Sequence, residues 1–233
     1  MKNKILFSFI VLAGMAVSST MAQVLPSKQE TLKTLTLVNG YFMKKYADYT
    51  LPSKTDRVRP SNIWTRGVYY EGLMELYKIF PKEEYYQYAY GWSDFHKWGM
   101  RNGTTTRNAD DQCCGQTYID LYNICPTSPA MLKDIKACMD MLVNTPQVDD
   151  WTWIDAIQMG MPVLAKLGKL TGNTAYFDKM WDMYAYSRNT HGGGLFNLKD
   201  GLWWRDADLW HLTKSQTVKI VIGQEETVGY MLL

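Results

Sequence analysis

The 233 residues carry 25 basic and 23 acidic side chains, a net charge of +2, and this balance excludes both a polybasic nucleic-acid surface and an acidic disordered tail. Four cysteines, adjacent at Cys113 and Cys114 and scattered at Cys125 and Cys138, fit neither a disulfide framework nor a zinc site, so buried thiols with at most one bridge are expected. Nine Trp and sixteen Tyr are many for this length; in an exported protein such rings often stack on sugar faces, although most rings in any protein are core.

The chain opens with MKNKILFSFIVLAGMAVSSTMAQ. Lys2 and Lys4, the apolar run from Ile5 to Val17 and the small residues before Gln23 have the order of a secretory signal. Residues 1–22 are therefore expected to be removed, and the protein to be exported to the periplasm or the outside. The run is short of the roughly 20 residues a span needs, so no stable membrane insertion is expected. Helical periodicity then dominates. KQETLKTLTLVNGYFMKKYADY places Leu32, Leu35, Leu37, Phe42 and Met43 on one side. SNIWTRGVYYEGLMELYKIF has Ser61 as its expected N-cap and Trp64, Val68, Leu73 and Leu76 as its buried face. KEEYYQYAYGWSDFHKWGM, ADDQCCGQTYIDLYNI, SPAMLKDIKACMDMLVN, WTWIDAIQMGMPVLAKLGKLTG and TAYFDKMWDMYAYSRN complete seven helices, with no convincing strand before residue 209. Helix pairs recurring every roughly 40 to 50 residues predict an all-α stack of helical hairpins.

Three places carry chemistry. Asp110 and Asp111 lie where a helix begins, a position that suits capping and the helix dipole as well as catalysis. Asp155 is a carboxyl among apolar residues, and helical spacing puts Trp151, Asp155, Gln158 and Pro162 on one face. Burial would raise its pKa and keep the proton a general acid needs; the plainer alternative is a charge in the first helical turn. In HGGGLFNLKDGLWWRDAD, the glycines mark a tight loop, and Trp203, Trp204, Arg205, Asp206 and Asp208 crowd together. Such rings suit sugar faces and Arg205 suits a carboxylate, unless this is a charged surface loop. His191 reads as a ligand or base, or as a solvated loop residue. No metal site is read from these patterns.

RPSNIWTRGVYYEGLMELY, NADDQCCGQTYIDLY, WTWIDAIQMGMPVLA and GLWWRDAD together resemble, in order and spacing, the bacterial unsaturated rhamnogalacturonyl hydrolases of glycoside hydrolase family 105, related to family 88. The resemblance spans residues 30–208 and implies a six-hairpin α/α barrel with the site in its mouth. It implies an unsaturated pectic oligosaccharide as substrate and neither a metal nor an organic cofactor. An Asp protonates carbon 4 of the unsaturated galacturonyl group, water adds at carbon 5, and the hemiketal collapses to release the next sugar. By this resemblance Asp155 is the general acid. Asp111, with Asp110 left open, holds the water. Trp64, Arg66, Trp151, Trp204, Arg205 and His191 bind substrate. Relatives often carry a His-containing strip where this chain has WWRDAD, so Arg205 stands in its place.

The resemblance also implies a WSRGNGW segment that the chain lacks. Permitted codons for VIGQEETVGY near the end, chosen with that target in view, spell YWSRGNGWV in another frame. Deleting one T from TTT GTG GCA CCT TAC yields LWHLT from Leu209 onward. Residues 209–233 are therefore expected to be an out-of-frame tail, and residues 23–208 the first part of the barrel, about seven of its twelve helices. A barrel lacking its last hairpins leaves apolar faces uncovered, so instability and weak or absent activity are expected of the 233-residue chain. Two alternatives share the fold: another polysaccharide hydrolase or lyase using Asp111 and Asp155 as an acid–base pair, and a non-catalytic sugar-binding helical toroid.

Overall fold

The computed structural model describes residues 25–54 and 57–208. The expected signal peptide and the expected out-of-frame tail lie outside these residues. Among the described residues the chain is all-α apart from two minimal hairpins. Its elements are α1 (Lys28–Lys45), β1 (Ser53–Lys54), β2 (Val58–Arg59), α2 (Trp64–Ile79), α3 (Glu83–Phe95), α4 (Ala109–Gln112), α5 (Cys114–Ile124), α6 (Ala130–Val143), α7 (Ile154–Thr171), α8 (Ala175–Asn189), β3 (Phe196–Asn197) and β4 (Leu202–Trp203). None of these helices is long and apolar enough to cross a membrane.

Two compact units divide at Val38 and Asn39, inside α1. In the first, Ser27 and Glu30 form a reciprocal capping box. The Glu30 N–H donates to Ser27 Oγ at 3.2 Å, and the Ser27 N–H donates to Glu30 Oε2 at 2.8 Å. Leu37 is 73% exposed. It lies two positions from Leu35, and two helical steps carry it to the opposite side, so the single apolar face expected for α1 does not include it.

The second unit is a series of hairpins: α2 packs on α3, α5 on α6, and α7 on α8, while α2, α5 and α7 touch one another in turn. This is the stack of helical hairpins expected from the repeat, consistent with the helical barrel the resemblance implies. Its first hairpin is built on stacked rings. Tyr70 lies over Trp92 at 3.9 Å between centroids, and Tyr88 and Tyr118 flank them. Tyr70, Trp92 and Tyr118 are fully buried.

Three local expectations are corrected. Ser61 does not cap α2; the residue before that helix is Ile63, with no side-chain cap. Ser61 Oγ instead accepts from Trp92 Nε1 at 3.1 Å and pairs with His96 Nε2 at 2.7 Å. Trp64, expected in the core, is 41% exposed, and Val68 is half-buried. The single helix expected over residues 109–124 is broken at Cys113 into α4 and α5. The short hairpins escaped the sequence because two-residue strands leave no alternation to read.

All four cysteines are free, with Cys113, Cys114 and Cys138 buried and Cys125 exposed. Burial pushes the Cys114 and Cys138 thiols up to about 12, so they stay protonated.

Candidate active site

The first turn of α7 is a meeting point. The strip after β4 runs beside it: the Ile154 N–H donates to the Arg205 carbonyl at 2.8 Å, and Trp153 and Asp206 form an antiparallel bridge. The HGGG turn closes onto the same strip. A Cβ on Gly192, whose φ is +58°, would lie 2.3 Å from the Ala207 Cβ, so only glycine permits this approach. From another side α4 packs on α7. The three places singled out in the sequence thus converge on one end of α7.

Asp155 occupies that first turn, but it is exposed. The expectation of a buried carboxyl fails because its apolar neighbours Ala156, Met159 and Val163 take the inward side of the helix, and all three are buried. Trp151, expected on the face of Asp155, precedes α7 and is 1% exposed. It is wedged under Gly160, where a Cβ would lie 2.8 Å from its Nε1, and its carbonyl accepts from Ser187 Oγ at 2.6 Å. Expected as a sugar platform, it is a core residue here.

The two adjacent acids are sharply different. Asp111 is fully buried. Arg101 Nε lies 2.7 Å from its Oδ1, and Asn102 Nδ2 and Thr106 Oγ1 each donate to its Oδ2 at 2.7 Å. Asp110 is half-buried. The cap of α4 is supplied by Asn108, whose Oδ1 accepts from the Asp110 N–H at 2.8 Å, so neither acid is spent on that task. Burial and the Asp111 charge push the Asp110 carboxyl above the usual range; Arg101 and Arg59 oppose the shift, and Asp155 adds to it. The carboxyl of Asp111 is occupied by Arg101 and two hydrogen-bond donors, whereas Asp110 stays half-buried.

The remaining sequence candidates divide. Trp64 is exposed, at the start of α2, while Arg66 is 4% exposed with its guanidinium 4.4 Å from the centroid of the Tyr46 ring. Trp204 and His191 are half-buried on the strip and its turn, and Arg205 is exposed, paired with Asp206. Sequence reasoning missed Arg101, Arg59 and Glu71. Arg101 sat unremarked in the RNGTT turn. Glu71 stood in an apolar helix, a signal of the same kind as Asp155. It is 6% exposed, and burial raises its pKa against the opposing hydrogen bonds from Cys113 and Gln158. Among the described residues no grouping of His, Cys, Asp and Glu could hold a metal ion.

A family model, Glycosyl Hydrolase Family 88, matches residues 34–218. This chain belongs to glycosyl hydrolase family 88. The matched range runs past Leu209, where the change of frame is expected. Among solved structures, this family 88 chain is similar to a polysaccharide lyase, with a TM-score of 0.66 and 27% identity over 77% of this chain and 51% of the other. It is also similar in fold to a family 88 glycosyl hydrolase from Bacteroides vulgatus, with a TM-score of 0.66 and 24% identity over 78% of this chain and 52% of that one. The chain therefore spans about half the length of these two structures. A search of curated proteins finds no match.

Proposed function

We propose that this family 88 chain carries the acidic site of an exported enzyme that removes unsaturated galacturonyl groups from rhamnogalacturonan oligosaccharides. The observation that supports it most is the convergence of α4, which carries Asp110, and the strip carrying Arg205 on the first turn of α7, which carries Asp155. Burial and the Asp111 charge favour the protonated form of Asp110. In this reading Asp155, the exposed member, delivers a proton to carbon 4 of the double bond. Asp110 holds the water that adds to carbon 5, and the proton released by that water returns to the pair. The hemiketal then opens and the bond to the next sugar breaks. Asn108 caps the helix that carries Asp110, and Arg205, Trp204 and Trp64 meet the uronic sugar.

The test follows the ultraviolet absorbance of an unsaturated galacturonosyl-rhamnose disaccharide. It uses the 233-residue chain, alongside enzyme from a gene carrying one added T at Leu209, where the change of frame is expected. Loss of absorbance that vanishes in Asp155→Asn supports the reading; unchanged absorbance with both overturns it. The similarity to a polysaccharide lyase favours a second reading, β-elimination at the same site, in which a saturated uronic polymer gains absorbance instead.

A further inference from the structure

Gln158 lies three residues after Asp155 on α7, and both are exposed on the same side of the helix. An exposed glutamine is normally free to rotate. This one is held at both its carbonyl and its side chain. Pro162, inside α7, has no N–H to offer the Gln158 carbonyl four residues earlier. Gln116 Nε2 on α5 takes that place, donating to the Gln158 carbonyl at 3.0 Å and to the Met159 carbonyl at 3.3 Å. The side chain is fixed by Glu71 on α2: Gln158 Nε2 donates to Glu71 Oε2 at 2.7 Å. The other Glu71 oxygen accepts from the Cys113 thiol at 2.8 Å.

Both Glu71 oxygens accept hydrogen bonds, so the acid takes the NH₂ end of the amide and turns the carbonyl end away from itself. The buried acid thereby chooses which face of Gln158 is offered at the end of α7. An acceptor that is already ordered loses little entropy when a ligand meets it. We infer that Gln158 Oε1 accepts a hydroxyl of the sugar bound beside Asp155, and that Glu71 is the positioning residue that aims it. This deepens the uronic-sugar reading of the same site and rests on that site being one for sugars.

The test is a double-mutant cycle on the 233-residue chain, reading the dissociation constant of saturated galacturonosyl-rhamnose, which needs no turnover. Gln158→Leu should weaken binding about tenfold, the scale of one hydrogen bond. Glu71→Gln should weaken it comparably, because a glutamine at 71 can donate to Oε1 and turn the amide over. The double variant should bind no more weakly than Gln158→Leu alone, since Glu71 acts through Gln158. A purely structural Glu71 would instead add its loss in full. The inference is overturned if Gln158→Leu binds like the unaltered chain, if the Glu71→Gln loss persists undiminished beside Gln158→Leu, or if the unaltered chain does not bind the disaccharide. Should Glu71→Gln fail to fold, Gln158→Leu alone decides. An intact cycle with no absorbance change on the unsaturated substrate removes the hydration chemistry and leaves Gln158 in its role. A flat cycle with absorbance lost removes only the inference.

Discussion

The ring cluster between α2 and α3 and the acidic end of α7 are opposites. Tyr70 and Trp92 are sealed, the Trp92 indole N–H donating to Ser61 Oγ and the neighbouring Tyr118 hydroxyl to the Gly99 carbonyl. At the end of α7, by contrast, Asp155, Gln158 and Arg205 are exposed, and burial is reserved for the groups behind them, Asp111 and Glu71. The aromatic content is divided: Trp92, Trp98, Trp151, Tyr70, Tyr85, Tyr88, Tyr118 and Tyr176 are buried, whereas Trp64, Trp181 and Tyr41 are exposed. The site is a thin polar layer resting on a buried polar support, and what a residue does here follows from which of the two layers it occupies.

Substitutions should separate the regions. Trp92→Ala would open a cavity in the ring stack and lower unfolding stability by about 3–5 kcal/mol. Asp111→Ala would leave Arg101 without its buried partner and cost a similar 3–5 kcal/mol or so. Denaturant melts would read both, and Asp155→Asn in the same melts should change stability by no more than about 0.5 kcal/mol. Gly160→Ala would push a methyl against the Trp151 ring, for a loss of about 1–3 kcal/mol.

His96, beside the ring cluster, gives a pH signature. Burial, with help from the Arg66 charge, lowers its pKa from the ordinary 6.5 to about 4. The folded state therefore resists a proton that the unfolded chain accepts. The stability this confers is complete above pH 6.5 and drains away as pH falls towards 4. Thermal midpoints measured across that window should fall with pH, and His96→Gln should flatten the slope. The smallest effect belongs to the surface: Lys136→Ala removes an exposed pair with Asp140, 2.7 Å long, and should cost only about 0.3–0.5 kcal/mol.

Most helices were legible because their apolar spacing is regular and their ends carry Pro, Gly or Asn. α6, α7 and α8 fall within a few residues of expectation. The meeting of Asp110, Asp155 and the WWRDAD strip was legible only as separate motifs in one chain. What stayed hidden depends on tertiary placement. Sequence could not show that Asp155 faces outward while Asp111 faces Arg101, since adjacent helical residues differ by about 100° in direction and either could have pointed to the site. Nor could it show that Trp151 ends beneath Gly160. Glu71 carried the same signal as Asp155, but its partners Cys113 and Gln158 come from outside its own helix and could not be read.

The most direct measurement compares kcat/KM of Asp110→Asn and Asp111→Asn in the enzyme assayed for the proposed function, per folded molecule and well below their unfolding midpoints. If Asp110 and Asp155 are the reacting pair, Asp110→Asn loses about 10²–10⁴-fold while Asp111→Asn keeps its rate within about tenfold and loses stability instead. The reverse pattern, with Asp110→Asn near full rate and Asp111→Asn inactive although folded, would contradict the account.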